Sequence, residues 1–243
     1  MNPSAGLASF VEGFSLARHP GLRHYVWLPV GVSFVICLTG LYFAFDYLID
    51  ATNRWIASLP EWLSWLDLIL TPLLYVIGVL GGTWFFGLLA VLIASPFLGA
   101  FSLALERIRF GSAPEVETGI WTDISSSIAR EGRKLLYYLP RLLLVFLLTL
   151  IPVFNLAAPA IWLLFGAWTM AVQFVDYPTE NRQRPFQETL AKLKSNRAAA
   201  LTFGLCATGA LMIPLLNFLL IPVAVAGGTL LWRALDADGA QPN

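Results

Sequence analysis

Long charge-free apolar stretches alternate with short polar connections along this chain, and their lengths predict its elements. Residues 25–45 contain no charged side chain over 21 positions, and at about 1.5 Å of rise per residue such a helix spans a hydrocarbon core of roughly 30 Å once. Residues 68–105 form 38 uncharged positions between Asp67 and Glu106, with Pro72, Gly81, Gly82 and Pro96 inside. This stretch predicts one long, tilted or kinked span whose ends project beyond the hydrocarbon. The spacing Gly78-x-x-x-Gly82 allows a close helix contact, a weak signal when it stands alone.

Two later apolar blocks have a different length. Residues 142–175 give 34 uncharged positions and residues 198–232 give 35. As a single helix each would be about 50 Å long, too long for one comfortable span and too short for two spans and a turn. Each is also interrupted at its middle by the same phrase, 62 residues apart: Ile151-Pro152-Val153-Phe154-Asn155 with Pro159 following, and Ile213-Pro214-Leu215-Leu216-Asn217 with Pro222 following. Proline removes a backbone donor and breaks helices, and asparagine favours turns. Two helical hairpins that enter a bilayer and return to the same side satisfy both length and punctuation; kinked, strongly tilted single spans are the alternative. Any non-helical backbone at the hairpin tips is expected to be buried in protein or to line a wet cavity, since lipid cannot satisfy it.

Shorter amphipathic pieces fill the gaps. Leu7, Phe10, Val11 and Phe14 recur at helical spacing before His19-Pro20 and predict a helix on the membrane surface. Phe186, Leu190 and Leu193 mark a second among charged residues, and Ile120, Ile124 and Ile128 a third that leads into the first hairpin. The expected fold is therefore all-α and integral to the membrane: two long transmembrane helices, two half-penetrating helical hairpins and surface amphipathic helices. Within a single membrane domain over residues 1–243, the surface helix covers 7–19 and the transmembrane helices 23–49 and 63–107. The first hairpin covers 120–176, and 186–235 hold a surface helix and the second hairpin.

Composition agrees with that reading. Hydrophobic residues make up 58% of the chain and charged residues 12%, with a mean hydropathy of +0.72, well outside the range of soluble globular domains. Lys and Arg balance Asp and Glu at 15 each, so net charge does not point to nucleic acid as a partner. The distribution of charge says more. If two spans cross and two hairpins return, 14 of the 15 Lys and Arg residues fall on one side, Arg54 being the exception; the positive-inside rule makes that side cytoplasmic. The first six residues have no basic cluster and no apolar core follows them, so no removable signal peptide is expected.

Candidate chemistry is sparse. Cys37 and Cys206 sit in apolar runs without neighbouring His or Cys and read as packing residues. No phosphate loop, His-Glu-x-x-His, Gly-x-Ser-x-Gly or clustered His and carboxylates is present, so no enzyme activity, cofactor or metal is expected.

Several phrases do carry a resemblance. His19-Pro20-Gly21-Leu22-Arg23, Pro60-Glu61-Trp62-Leu63, Ala94-Ser95-Pro96-Phe97, Tyr138-Leu139-Pro140-Arg141, Asp176-Tyr177-Pro178, Ile213-Pro214-Leu215-Leu216-Asn217 and Pro222-Val223-Ala224-Val225 closely resemble the CysZ sulfate-permease family, in order from about residue 13 to 232. The resemblance implies a multi-pass protein of the bacterial inner membrane. It would form a homo-oligomer that takes up sulfate for cysteine biosynthesis, with sulfite and related oxyanions as further candidates.

In that family sulfate binding is associated with the Gly-Leu-Arg turn, here Gly21, Leu22 and Arg23. Pro20 interrupts the preceding helix, Gly21 lets backbone amides approach an anion, the next helix supplies its positive end, and Arg23 can donate a forked pair of hydrogen bonds. Some relatives carry a second arginine where this chain has His24, an anion contact whose charge would depend on pH. The alternative for Arg23 is an anchor at the cytoplasmic end of a span. Glu106, Arg107, Arg109 and Arg141 either line an anion route or form a salt-bridge network holding helices together. Asp176 and Tyr177 are expected to terminate and anchor the first hairpin.

Energetics restrict the mechanism. Moving a dianion inward against an inside-negative potential costs about 4.6 kcal/mol per 100 mV, at roughly 2.3 per charge. The apolar blocks contain no Asp or Glu between their ends, so a channel-like facilitator is the first reading. A proton-coupled carrier is second, and a non-transporting membrane scaffold the reading of a different class.

Overall fold

A computed structural model of the chain describes residues 2–57, 60, 65, 67–114, 120–212 and 217–239. Every regular element among them is helical. Proline sets many of the boundaries. α1 (Pro3–Ala17) opens with Pro3 in its first turn and stops before His19, whose backbone is extended (ψ 132°), as a residue preceding proline prefers. Pro20–Leu22 then makes a single 3-10 turn, and α2 (Arg23–Ala57) follows directly. α3 runs Asp67–Phe110 and α4 Ile120–Thr149. The one-turn α5 (Pro152–Asn155) leads to α6 (Ala158–Glu180). α7 (Phe186–Ser195), α8 (Arg197–Leu211) and α9 (Asn217–Gly239) complete the chain. Among the described residues, three helical stretches are long and apolar enough to cross a membrane: Phe34–Trp55, Ala158–Glu180 and Leu220–Asp238.

Two compact units share these helices, one of Met1–Trp27 with Ser95–Asn243 and one of Leu28–Ala94. In the second unit α2 and α3 lie against each other, and Gly78 and Gly82 are what lets them. A β-carbon on Gly78 would overlap the Leu48 side chain, and one on Gly82 would touch Leu41 at 3.7 Å. Leu41 and Leu48 ascend as Gly82 and Gly78 descend, so the helices are antiparallel. The small-residue spacing seen in the sequence therefore is a helix contact within the chain.

The larger unit holds the core. α6 packs on α8 and α9, and α1 lies across α8 and α9. Approach is close enough that a β-carbon on Gly204 would overlap the carbonyl oxygen of Ala167 on α6, so only glycine admits this crossing. Phe101, Val172, Val175, Phe203, Leu231 and Trp232 fill the space between, each buried. On α1 it is the stripe Gly6, Ser9 and Gly13 that is buried, while Leu7, Val11 and Phe14 point outward. The helix uses its small face against the protein and offers its apolar face to the surroundings. α7 turns its apolar stripe into the protein: Phe186, Leu190 and Leu193 are buried in the core against α6 and α8, while Gln187, Ala191 and Lys194 are exposed.

The chain reverses between α4 and α6. Tyr138 donates to the Thr169 carbonyl, Trp168 to the Tyr137 hydroxyl, Gln173 to Glu131 and Arg130 to Asp176. From Arg130–Asp176 through Glu131–Gln173 to Tyr138–Thr169, residue numbers rise on one helix as they fall on the other, so the pair is an antiparallel hairpin. Its tip differs from expectation in one respect. Leu150, Ile151, Phe154, Asn155 and Ala157 donate their amides to carbonyls of Leu147, Leu148, Ile151, Ile151 and Phe154. The tip thus satisfies much of its own backbone through α5 and needs less protein cover than a bare loop. In the second block, Ile213, Pro214, Leu215 and Leu216 lie outside the described residues, and Pro222 sits inside α9 rather than at a break.

Candidate functional site

The 3-10 turn of Pro20–Leu22 is fixed from inside and open outside. Leu22 is completely buried in the cluster that contains Phe101 and Leu105, which pins the turn to α3. Gly21 packs beside Ile108, with a β-carbon position 3.5 Å from that side chain. Arg23 and His24, the next two residues, are exposed at the start of α2. His24 packs against Tyr25 with ring centroids 4.0 Å apart and planes tilted by 40°. Among the described residues Arg23 has no carboxylate partner, so its guanidinium is available to an anion.

The backbone contributes less than the sequence suggests. The Gly21 amide donates to Nδ1 of His19 at 3.2 Å, the Leu22 amide to the His19 carbonyl at 3.0 Å, and the Arg23 amide to the Pro20 carbonyl. All three donors of the turn are used within it. An anion here meets side chains first, and gains the Gly21 amide only if His19 lets it go.

The other candidate residues separate into different roles. Glu106 is fully buried, and Arg182, just beyond α6, donates to both its oxygens, at 2.9 Å from Nη1 and 2.5 Å from Nη2. Arg233 stands 4.0 Å from the same carboxylate. Glu106 therefore holds α3 to the end of α6 and to α9, with Arg182 rather than Arg107 or Arg109 as its partner. Arg109 meets Glu12 of α1 at 2.9 Å, and Arg107 is exposed. Arg141 lies elsewhere, its guanidinium 3.6 Å from the Tyr137 ring centroid while donating to the Tyr137 carbonyl. The structure brings the turn to α3 at Ile108, the residue between Arg107 and Arg109, whose side chains leave the helix in different directions, and Arg141 is exposed on the first hairpin.

A second polar centre was not anticipated from the sequence. Asp176 is fully buried and receives a fork from Arg130, at 2.7 Å from Nε and 2.6 Å from Nη2. Thr189 of α7 donates to it at 2.7 Å, and Lys134 lies 3.2 Å away. Lys134 also donates to Glu131 at 2.8 Å, and Ser95 of α3 donates to Glu131 at 3.0 Å. Burial by itself would lower the pKa of the Lys134 ammonium, but Asp176 and Glu131 outweigh it and hold it well above the ordinary lysine range. Desolvation likewise opposes the charge on Arg130, and its hydrogen bond and proximity to Asp176 raise its pKa nonetheless. Asp176 does not end the hairpin, since α6 continues through Pro178 to Glu180; it ties α6 to α4 and α7. The signal lay in Arg130-Glu131-x-x-Lys134, whose helical spacing puts Arg130 and Lys134 on one face, and in a carboxylate closing an apolar block.

Comparison with known proteins puts a family beside this geometry. Residues 9–222 match the family model described as Sulfate transporter CysZ/Etoposide-induced protein 2.4. A protein named Sulfate transporter CysZ from Pseudomonas syringae pv. tomato is 40% identical over 232 residues, covering 93% of this chain and 91% of its own. One of the same name from Vibrio cholerae serotype O1 is 38% identical, covering 94% and 92%. Another from Salmonella typhimurium is 37% identical over 237 residues, covering 95% and 92%.

Proposed function

The chain belongs to the family of sulfate transporter CysZ and etoposide-induced protein 2.4, and from that premise we propose that it carries sulfate across the bacterial inner membrane, supplying cysteine biosynthesis, by a channel-like route. The observation that carries the reading is the Arg23 guanidinium, exposed at the first residue of α2 and without a carboxylate partner among the described residues. Leu22, buried just before it, fixes the backbone from which that side chain extends. An uncommitted guanidinium beside a helix start is suited to a tetrahedral oxyanion.

In this reading α2 and α3 are the full crossings and the two later blocks enter and return. The tip of the first hairpin supports the return: Leu150, Ile151, Val153, Phe154 and Leu156 are all exposed there, an apolar patch that lipid stabilises and water does not. Exposed apolar faces on α4 and α6 leave surface for lipid and for further copies of the chain in a homo-oligomer. His24 is the second contact to the anion, Arg107 and Arg109 extend the basic surface, and Arg141 anchors the hairpin at the interface.

A proton-coupled carrier is the second reading, and one observation favours it. The buried centre sets Glu131, Asp176 and Glu180 against Arg130 and Lys134, and Oε1 of Glu180 has no hydrogen-bond partner among the described residues. A surplus, half-buried carboxylate with one oxygen unpartnered is the place for an exchangeable proton.

The test is sulfate uptake into liposomes containing only the purified protein, with and without an imposed pH gradient. Uptake that follows the sulfate gradient alone supports the channel-like route. Uptake that requires the pH gradient moves the assignment to the carrier. Absence of uptake by folded protein leaves a membrane scaffold.

A further inference from the structure

The end of α3 carries more positive charge than its carboxylates balance. Arg109, Arg182 and Arg233 gather there with Glu12 and Glu106, Arg107 is exposed on the same helix, and Arg23 follows across the turn that Ile108 touches. Arg182 and Arg233 are engaged with buried Glu106. That leaves Arg109 half exposed with Glu12 as its one ion-pair partner among the described residues.

The Glu12–Arg109 contact has the form of a temporary occupant. Both side chains are about half exposed, 43% and 48%, and an exposed pair of this kind contributes little to folding. Only Nε of Arg109 is used, donating to Oε1 of Glu12 at 2.9 Å. The two Nη groups have no hydrogen-bond partner among the described residues, so the fork of Nε and Nη2 that fits a tetrahedral oxyanion is complete once Nε is free. Compare Arg182, whose fork is spent on Glu106 in the interior. The carboxylate of Glu12 is a singly charged oxyanion, weaker in this field than a dianion.

We propose that Glu12 is a resident carboxylate on an oxyanion site centred on Arg109 beside the Gly21–Arg23 turn, and that sulfate displaces it from Arg109. The inference rests on the sulfate-transport reading and adds a residue that sets affinity. In the empty site Glu12 neutralises Arg109 and keeps weaker monoanions off it. Sulfate forks Arg109 through Nε and Nη2, the first of which Glu12 must release, and α1 keeps its place, because its buried stripe of Gly6, Ser9 and Gly13 does not depend on Glu12.

Radiolabelled sulfate binding to the full chain in detergent tests this, with Glu12→Gln, Arg109→Gln and the double variant compared at one ionic strength. Glu12→Gln removes the competitor and is expected to tighten binding about two- to fivefold, the range in which exposed pairs lie. Glu12→Asp, too short to reach, should tighten it as well. Arg109→Gln weakens binding, and in that background Glu12→Gln has no further effect. Equal affinity for wild type and Glu12→Gln, with thermal midpoints unchanged, overturns the proposal while leaving sulfate binding intact. A gain that persists in the Arg109→Gln background also overturns it, since a general field effect would then explain the change. Failure of the wild-type protein itself to bind sulfate removes the transport reading and this inference with it.

Discussion

Arg130 and Asp176 lie 46 residues apart and meet through a forked ion pair, 2.7 Å at Nε and 2.6 Å at Nη2, with Asp176 fully removed from solvent. The pair joins the two arms of the first hairpin, and Thr189 extends it to α7. Two charges taken out of water stabilise little as a pair, but each becomes costly if the other is removed.

Asp176→Asn is therefore expected to destabilise the protein by about 3–5 kcal/mol, since it leaves Arg130 and Lys134 buried with less compensation. For a chain of this size that is a fall in thermal midpoint on the order of ten degrees. Differential scanning fluorimetry in mild detergent checks it, and a shift of only a degree or two would show that water reaches the centre.

Lys134 sets a pH dependence with a definite sign. Its pKa in the folded protein is raised above the unfolded value, so the stability it contributes is fully present below about pH 10.4 and is lost only as pH rises through the higher folded value. The stability difference between wild type and Lys134→Gln should accordingly stay constant from about pH 6 to 9. Denaturant titrations at several pH values in that window measure it; a difference that shrinks before pH 9 contradicts the assigned contacts.

Replacing Arg23 with Ala should remove a charge-assisted contact worth roughly 1.5–3 kcal/mol and weaken sulfate binding about ten- to a hundredfold. Folding should be little changed, because Arg23 is exposed and Leu22 supplies the anchor. Arg23→Lys keeps the charge but loses the fork, so it should recover part of the binding. Affinity and reconstituted flux are measured together with oligomer profile. Normal transport by Arg23→Ala would make the residue an interfacial anchor.

If the first hairpin returns to its side of entry, a cysteine at Asn155 should resist membrane-impermeant thiol reagents from the cytoplasmic side, while one at Gln183 should react there. Cys37 and Cys206 are replaced first. Efficient labelling at position 155 from the opposite aqueous phase would instead mean full crossings, and the one-sided distribution of Lys and Arg would lose its meaning.

Much of the architecture was legible in the sequence because it is set locally. A run without charge can be counted against bilayer thickness, and Pro20, Pro152 and Pro159 interrupt or open helices wherever the chain goes. The glycines at 78 and 82 showed a close contact but not its partner, which proved to be Leu48 and Leu41 on α2. The apolar stripe of α7 was equally visible, yet a period of 3.6 says only that one face is apolar, not whether lipid or protein covers it; α6 and α8 supply the cover.

The sequence by itself determined that this chain lives in a membrane, is helical, and reverses near Pro152, since length, composition and backbone restriction act within a few residues. Tertiary structure alone decided which charges meet. Glu106 takes Arg182, 76 residues away, rather than Arg109 three positions on, and Arg109 takes Glu12 across 97 residues. Partner choice depends on which helix faces cross and how far each group is drawn from water. A buried carboxylate must be satisfied by whichever cation packing brings to it, and spacing along the chain carries no record of that crossing.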